Sequence, residues 1–389
     1  MSPRQRPVRL NHIKGIGVDR MGSIADGSGV DYLRLENLDV DIPPDVEGME
    51  RTREAADHDP DNSYLPFLGQ DRLRDTAARH VSRMSGVSYD GHRNCLISAG
   101  GLSGILNVLL ATTEVGDEVI VTDPTYVGLV NRIRLAGGVP KWVPFNFNPG
   151  KPWCLDHDAL ARAITPKTRS MLITSPSMPS GAAFHKDDWA LAAELCVKHD
   201  LLMICNSAME RLVFDGAEPL HPAGLPGMVE RTITVGSASK ELRMIGWRVG
   251  WIVAPEAYMP DLAAVSIANV VVPVGIGQDA AASALDKSYE TLPPYVAELQ
   301  RRRDILLQEL QGLPVGVPEG GWSMLMRVSD WGLDGEKMSA NLLEQGICAT
   351  AMTGWGQTHG ADYIRFVYSN ETVERLTGVG SRIRAALGI

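Results

Sequence analysis

The sequence predicts an α/β fold, in which a mainly parallel β-sheet is covered by helices on both faces and is followed by a smaller α+β domain. Two features of the chain lead to this prediction. Between Asn94 and Lys240 short apolar strands alternate with helical segments, and beyond Pro255 the alternation stops. Parallel strands need crossovers that cover both faces of their sheet, so this alternation is typical of a parallel sheet. The 389 residues, 44% of them hydrophobic, suffice for two domains.

The chain before the alternating region contains four predicted segments. The first thirty residues carry several glycines and scattered charges, and we expect an arm or extended segment rather than core. Apolar residues at helical spacing predict helices over Met49–Ala56 and Leu73–Ser85. Between these helices, residues 62–69 read NSYLPFLG and predict a loop that exposes Tyr64.

The alternating region supplies the large sheet and its helices. Its strands are short and apolar, as expected of strands buried on both faces. The predicted strands are CLISA (95–99), DEVIVTDPTY (117–126), PKWVPFNF (140–147), RSMLITSPS (169–177), LLMICNSA (201–208) and RTITVGSASK (231–240). The predicted helices are ILNVLLAT (105–112), VGLVNRIRLAGG (127–138), DHDALARAI (156–164) and DDWALAAELCVKHD (187–200).

The loops that follow these strands form the candidate ligand site. Ligands of open parallel sheets bind beyond the carboxyl ends of the strands. The residues with the most useful chemistry all lie in such loops, at 98–104, 123–126, 175–181, 206–210 and 237–240. The sequence therefore predicts one site at this edge of the sheet.

The C-terminal part is predicted to form the smaller domain. A long amphipathic helix over Tyr295–Leu313 leads into it. The remaining predicted elements are the strands GGWSMLMRV (320–328) and IRFVYSN (364–370) and helices near 335–345 and 371–386. We place the domain bounds at 1–46 for the arm and part of the small domain, 47–290 for the large domain and 291–389 for the small domain.

Charge and cysteine usage exclude several classes of protein. The net charge of −10 argues against nucleic acid or an anionic membrane as the main partner. The five cysteines are scattered without a CxxC pair, which favours reduced thiols in a cytoplasmic protein over a disulfide framework or a metal site. The basic N-terminus leads into no apolar run, so a secretory signal and a membrane span are not expected.

The stretch Ser237–Gly250, which reads SASKELRMIGWRVG, carries the most specific chemistry. Lys240 follows the small hydroxyl residues Ser237 and Ser239, and Arg248 lies eight positions after the lysine. An amine bonds an aldehyde covalently, while hydroxyls and a guanidinium bind a phosphate. The stretch therefore predicts a site for a phosphorylated aldehyde cofactor. The alternative is a surface helix with ordinary solvated charges.

From about Tyr32 to its C-terminus, the order and spacing of these motifs resemble a fold-type I pyridoxal phosphate enzyme of the class I and II aminotransferase family. The resemblance implies a mainly parallel sheet of the seven-stranded type, pyridoxal 5'-phosphate as cofactor and Lys240 as its Schiff-base lysine. The phosphate ligands that it implies are Ser237, Ser239, Arg248 and the main chain of Gly101 and Leu102 in SAGGLSG.

The resemblance assigns roles to three further residues. Tyr126 in DPTYVG matches the aromatic ring that stacks on the cofactor, the alternative being a packed core tyrosine. Tyr64 matches a tyrosine donated across a dimer interface, which implies a homodimer. Arg365 in YIRFVYSN matches the arginine that binds the substrate α-carboxylate through its planar fork. The alternative for Arg365 is a structural ion pair.

This sequence departs from the family at the residues that tune the cofactor. The run SPSMPSG has Met178 where the family has an asparagine bonded to the phenolic oxygen of the cofactor. The run NSAMERLVFDG has Asn206 where the family has the aspartate of the pyridine nitrogen, and Met209 where it has a tyrosine. Thioethers are weak hydrogen-bond acceptors, and a neutral amide stabilises a charged ring poorly.

A fourth departure is Glu36 in LENLD, where the family has a glycine. If Glu36 faces the pocket near Arg365, its carboxylate would disfavour acidic substrates. A solvated glutamate at a strand edge would have no such effect.

We expect an aminotransferase that moves an amino group from an L-amino acid to a 2-oxo acid and does not prefer dicarboxylic side chains. The alternatives are elimination, decarboxylation or oxidation by the same cofactor, a binding protein without turnover, or an asparagine introduced at 206 to trap a complex.

Overall fold

The computed structural model describes residues 7–13 and 15–389. Its helices are α1 (Val18–Ser28), α2 (Val46–Ala56), α3 (Asp71–Ser85), α4 (Gly91–Asn94), α5 (Gly101–Thr112), α6 (Val127–Leu135), α7 (His157–Ala163), α8 (Lys186–His199), α9 (Met259–Val270), α10 (Gln278–Glu309), α11 (Gly335–Glu344), α12 (Val373–Leu376) and α13 (Val379–Leu387). Its strands are β1 (Leu33–Arg34), β2 (Cys95–Ser98), β3 (Glu118–Asp123), β4 (Val139–Asn146), β5 (Cys154–Leu155), β6 (Thr168–Thr174), β7 (Leu202–Asn206), β8 (Thr232–Ser237), β9 (Gly250–Val253), β10 (Ser323–Arg327), β11 (Ile347–Cys348), β12 (Thr350–Ala351) and β13 (Tyr363–Val367).

The large sheet of the described chain has eight strands in the order β2-β9-β8-β7-β6-β3-β4-β5. The run from β8 through β7, β6 and β3 to β4 is parallel throughout. Strand β9 is antiparallel to both its neighbours, and β5 is antiparallel to β4. The predicted mainly parallel α/β sheet is therefore confirmed. Because β6, β7 and β8 point the same way, their carboxyl ends lie side by side, and the chain leaves the sheet there at Thr174, Asn206 and Ser237.

The expectation of an extended arm is wrong for residues 18–28, while residues 1–6 and 14 lie outside the described part of the chain. Residues Val18–Ser28 form helix α1, which buries Met21 and Ala25 next to Cys348. Its glycines lower the intrinsic helix propensity and hid the pattern. Burial of Met21 and Ala25 against the C-terminal part of the chain stabilises the helix instead.

Helix α10 begins earlier than expected. The sequence places its start at Tyr295, but the helix runs from Gln278 to Glu309 and contains Pro293 and Pro294. Its alanine-rich first half is buried and packs on α2 and α3, which outweighs the hydrogen bonds lost at the two prolines. The predicted domain boundary at 290 lies inside this helix, and it stays a prediction.

The C-terminal part of the chain is built around a three-stranded antiparallel sheet in the order β10-β13-β12. A two-stranded parallel pair joins β1 near the N-terminus to β11, with Leu33 opposite Ile347. Arg365 lies on β13, opposite both Leu325 and Thr350. The residue proposed to bind substrate is thus held by the central strand of this second sheet.

In the part of the chain that the structure describes, no helix is long and apolar enough to cross a membrane. All five cysteines lie in this part and are free, four buried and Cys154 exposed.

Candidate active site

A cavity of about 250 Å³ opens at the carboxyl ends of β6, β7 and β8. The last residue of each of these strands contributes to its wall. The lining residues are Leu38, Gly101, Leu102, Tyr126, Leu129, Thr174, Met178, Asn206, Ala208, Met209, Ser237, Ser239, Lys240, Ile245 and Arg248. The structure therefore brings together ten of the residues that the sequence proposed for the site.

One end of the cavity is suited to a phosphate. Helix α5 begins at Gly101, so the free N–H groups of its first turn face this end. A side chain at Gly100 would place a Cβ 2.4 Å from a nitrogen of Arg248, and Gly100 has the positive φ of +89° that glycine adopts without strain. Glycine is therefore required here for the guanidinium to lie beside the helix N-terminus.

The rest of this end is formed by the loop between β8 and β9. The Ser237 hydroxyl accepts a hydrogen bond of 3.1 Å from the Ser239 N–H. Arg248 donates to the Ile245 carbonyl at 2.7 Å and to the Ser239 hydroxyl at 3.4 Å. Arg248 has a left-handed backbone with φ of 55°, a costly conformation for an arginine. Hydroxyls, a guanidinium and free N–H groups thus converge on one point, as a phosphate requires.

The Lys240 side chain is half-buried and reaches into the cavity. Its segment forms the loop between β8 and β9, so the alternative of a surface helix is wrong. Burial, together with the charges of Arg365 and Arg248, lowers the pKa of Lys240 to about 7, against a smaller opposing effect of Asp39. A substantial fraction of the amine is therefore neutral and nucleophilic at neutral pH.

An indole that no sequence motif singles out supports the Lys240 amine. The Nζ atom lies 3.5 Å above the centroid of the Trp322 ring, and Trp322 is fully buried directly before β10. An ammonium over an aromatic face gains about 1 kcal/mol from the ring quadrupole. The two residues are 82 positions apart, so only the tertiary fold shows this contact.

A buried ion pair holds the loop next to Lys240. The Arg211 Nε atom donates to the Glu241 carboxylate at 2.7 Å, and the Arg211 backbone N–H donates to its other oxygen at 2.8 Å. Glu241 directly follows Lys240, and Arg211 lies two residues after Met209. The pair therefore ties the lysine-bearing loop to the loop after β7. Sequence reasoning missed the pair: Glu241 and Arg211 lie in the runs SASKELRMIGWRVG and NSAMERLVFDG, but neither run shows that the two side chains bond each other.

Tyr126 ends the loop after β3 and lines the cavity. Its ring packs on Trp355 at 5.3 Å between centroids and an interplanar angle of 59°. A Cβ at position 128 would lie 2.3 Å from this ring, so Gly128 makes room for it. Burial raises the pKa of Tyr126. The tyrosine thus packs on Trp355 and also lines the cavity, and its stacking on a cofactor stays a prediction.

The three residues that depart from the family pattern also line the cavity. The Asn206 amide nitrogen donates to the Thr174 hydroxyl at 2.9 Å, and its amide oxygen accepts from the Ala208 N–H at 3.4 Å. Met178 and Met209 are buried and present thioethers. The cavity wall at these three positions is therefore uncharged.

Arg365 is fully buried beside the cavity, although it is not among the lining residues. Its Nη2 atom donates to the Glu36 carbonyl at 3.1 Å and to the Thr350 hydroxyl at 3.4 Å. Its Nε and Nη1 atoms have no hydrogen-bond partner, and within the described chain no carboxylate pairs with it. A structural ion pair is thus not observed. Burial lowers the pKa of Arg365 to about 9, and an anionic ligand would compensate this cost.

Glu36 lies beside Arg365 but outside the set of residues that line the cavity. Its side chain is only 1% exposed and pairs with Arg34 at 2.7 Å. The alternative of a solvated glutamate is therefore wrong. Arg365 contacts Glu36 through the Glu36 main-chain carbonyl. The position of the Glu36 carboxylate therefore gives no support to its predicted effect on substrate choice.

Tyr64 lies away from the cavity of its own chain. Its side chain is 81% exposed and borders a surface groove with Val272–Ile276.

Among the described residues, no group of three or more histidine, cysteine, aspartate or glutamate side chains could hold a metal ion.

Comparison with known proteins identifies the family. The family model for aminotransferase class I and II matches residues 32–379. Aromatic-amino-acid aminotransferase 2 of Thermococcus litoralis is 30% identical over 386 residues, 97% of each chain. The arginine–pyruvate transaminase of Pseudomonas aeruginosa is 34% identical over 350 residues, 89% of this chain and 87% of the relative. The structure of N-succinyldiaminopimelate aminotransferase from Mycobacterium tuberculosis is 29% identical with a TM-score of 0.91, covering 98% of this chain and 100% of that one.

These three relatives are all transaminases, so the comparisons give no support to elimination, decarboxylation, oxidation or a loss of turnover. The match extends over nearly the whole chain and includes the site. The chain belongs to the class I and II aminotransferases, and it is a pyridoxal phosphate-dependent enzyme of fold type I that transfers an amino group from an amino acid to a 2-oxo acid.

Proposed function

We propose that this transaminase uses Lys240 as its cofactor-bearing and proton-transferring residue, and that Arg365 binds the α-carboxylate of an L-amino acid. One observation carries the proposal: a lysine amine with a pKa of about 7 shares its cavity with the N-terminus of helix α5, and the charge of a buried guanidinium with two free nitrogens acts on it. These three features match the amine, phosphate and carboxylate chemistry of the reaction.

The cavity fits pyridoxal phosphate. Ser237, Ser239, Arg248 and the N–H groups of Gly101 and Leu102 would hold its phosphate, and Tyr126 would cover its ring. When bound, the cofactor supplies an electron-poor ring that accepts the electron pair left when the Cα–H bond of the substrate breaks.

The residues of the chain then control the proton. The Lys240 Nζ atom is neutral in a substantial fraction of molecules near pH 7, so it can take the Cα proton and deliver it again. Once protonated, the amine is stabilised by the Trp322 ring, which lies 3.5 Å below it. Arg365 holds the carboxylate throughout and thereby fixes the Cα–H bond relative to Lys240.

We further infer that the preferred donor has no second carboxylate. Among the described residues that line the cavity, Lys240 and Arg248 are the charged ones. In this proposal both hold the cofactor. Leu38, Leu129 and Ile245 add apolar surface. A side-chain carboxylate would therefore find no cation of its own here, and its desolvation would be uncompensated.

The test is a spectral titration of the purified enzyme with a panel of single L-amino acids. The panel includes aromatic amino acids and arginine, for which relatives are named, together with aspartate and neutral aliphatic residues. The expected result is loss of the visible band of the lysine-bound cofactor with a neutral or basic donor, reversed by a 2-oxo acid. Equal or better conversion with aspartate would overturn the inferred donor preference.

The low pKa of Lys240 predicts how cofactor attachment depends on pH. The neutral amine attacks the aldehyde, and the pKa is about 7 rather than near 10.5. The rate at which pyridoxal phosphate attaches to cofactor-free protein should rise about tenfold per pH unit below pH 7 and level off above it. Stopped-flow absorbance measures this rate. A rate that continues to rise up to pH 10 would contradict the prediction.

A second prediction concerns Asn206. An aspartate at this position would hold a proton on the ring nitrogen of the cofactor, whereas the present amide is neutral. We expect Asn206→Asp to increase the rate of Cα proton loss at least about tenfold, since a protonated ring accepts electrons better. Single-turnover absorbance with the donor from the panel measures it, with Asn206→Ala as the control for loss of the amide. A rate that is unchanged in Asn206→Asp, with the cofactor bound, would show that the amide already suffices.

We also propose a homodimer in the cytoplasm, in which Tyr64 reaches the site of the neighbouring chain. Its 81% exposure and distance from its own cavity support this placement, and the free, mostly buried cysteines suit a reducing compartment. Light scattering should then give twice the 42.2 kDa mass of the chain.

A further inference from the structure

Trp355 contacts residues of the site but has no role in the proposed mechanism. It belongs to the loop between β12 and β13 and is fully buried. Its carbonyl accepts a hydrogen bond of 2.9 Å from the Thr125 N–H, one residue before Tyr126. Its indole Nε1 donates to the Ile16 carbonyl at 3.2 Å. Two distant segments of the chain therefore hold this residue, one at its main chain and one at its indole.

The loop is also held just beyond Trp355. The buried carboxylate of Asp123, at the end of β3, accepts N–H bonds from Gln357 at 3.0 Å and Thr358 at 2.7 Å. Hydrogen bonds to a charged acceptor are about twice as strong as neutral ones. Asp123 therefore couples the loop of the small sheet to the strand that ends three residues before Tyr126.

The Trp355 ring contacts two residues of the site. Its centroid is 5.3 Å from that of Tyr126 and 4.7 Å from the Arg365 Cζ atom. The contact with Arg365 is a cation–π interaction, and both partners are fully buried. The cavity-lining ring and the guanidinium are thus connected through a single indole.

Arg365 depends on such support, because only part of it is hydrogen-bonded. The Glu36 carbonyl and the Thr350 hydroxyl both accept from Nη2, which leaves Nε and Nη1 without partners. The bond to the Thr350 hydroxyl is long at 3.4 Å, so the two hydrogen bonds at Nη2 hold the plane of the guanidinium only weakly. An aromatic face against that plane restricts its rotation, so that the two unpartnered nitrogens keep one orientation.

We propose that Trp355 is a positioning residue for the substrate carboxylate. It keeps the planar guanidinium of Arg365 in one orientation relative to the Tyr126 ring. The inference rests on the proposed role of Arg365. It predicts that loss of the indole weakens binding of a carboxylate ligand and leaves binding of a ligand without a carboxylate nearly unchanged.

The experiment compares Trp355→Leu and Trp355→Phe with the parent holoenzyme. The probes are 2-aminoisobutyrate, which has no Cα–H bond and so reports binding without turnover, and its amide, which lacks the carboxylate. The change in the visible cofactor band on titration gives each dissociation constant. Trp331→Leu is the matched control, because Trp331 is half-buried in the same part of the chain and is not part of the site.

For Trp355→Leu we expect at least tenfold weaker binding of 2-aminoisobutyrate and less than twofold weaker binding of its amide. Trp355→Phe keeps a flat ring, should lose about threefold, and carries the test where Trp355→Leu does not fold. Equal weakening of both probes, or no weakening of either, in a folded variant overturns the role of Trp355. A parent enzyme that binds both probes equally instead overturns the proposed role of Arg365, which separates the two failures.

Discussion

Replacing Lys240 by alanine is expected to abolish transamination, with kcat/KM falling by roughly 10⁴-fold or more. The change removes both the amine that bonds the cofactor and the base that moves the substrate proton. It leaves the phosphate end of the cavity intact, because Ser237, Ser239 and Arg248 do not depend on the lysine side chain for their contacts. The variant should therefore still bind pyridoxal phosphate, but without the band of the lysine-bound form. Steady-state kinetics and absorbance measure the two effects.

Two controls separate chemistry from structure in this experiment. Lys141→Ala removes a half-buried lysine of β4 whose amine pairs with Glu118 at 3.5 Å, and it should leave the activity within about twofold. Added methylamine should restore part of the proton transfer in Lys240→Ala, because a small amine can occupy the vacated space. A Lys240→Ala variant that keeps the band of the lysine-bound cofactor and its turnover would show that another amine does the chemistry.

The sequence was sufficient to place most of this site, because its residues follow predicted strands. Thr174, Asn206 and Ser237 end three adjacent parallel strands, so the order of the elements alone brings their loops together. Strand β9 was missed for a physical reason. It is antiparallel and returns from β8 through a loop without a helix, which breaks the alternation used for the prediction.

The supporting residues could not be predicted in the same way. Trp322 under Lys240 and the Glu241–Arg211 pair join residues 82 and 30 positions apart, and Trp355 packs on Arg365 ten positions further along the chain. The sequence pattern assigns no partner to any of these side chains, because the partner is decided by packing. Glu36 shows the converse: the sequence associates it with Arg365 through its carboxylate, whereas the fold uses its carbonyl and gives its carboxylate to Arg34.

Replacing Arg365 by lysine is expected to raise the KM for the amino donor by roughly 10²-fold or more, with a smaller fall in kcat. Lysine keeps the positive charge but loses the planar fork. Its amine could satisfy the Glu36 carbonyl or the substrate carboxylate, whereas the guanidinium bonds the carbonyl through Nη2 and has Nε and Nη1 left for the ligand. KM rises more than kcat falls, because the contact with the carboxylate is lost in both the ground state and the transition state.

Arg327→Lys on the neighbouring strand β10 is the matched control for this substitution, since that arginine pairs with Asp330 at 2.9 Å, away from the cavity. Arg365→Leu completes the series by removing the charge as well, and we expect it to weaken donor binding further. The carboxamide of the donor distinguishes a lost carboxylate contact from a distorted site: its binding should differ little between the parent and Arg365→Lys. If Arg365→Lys binds the donor acid as tightly as the parent does, the free nitrogens of Arg365 do not face the substrate, and another cation must hold the carboxylate. Lys240 and Arg248, the cations among the described lining residues, would then be the ones to replace.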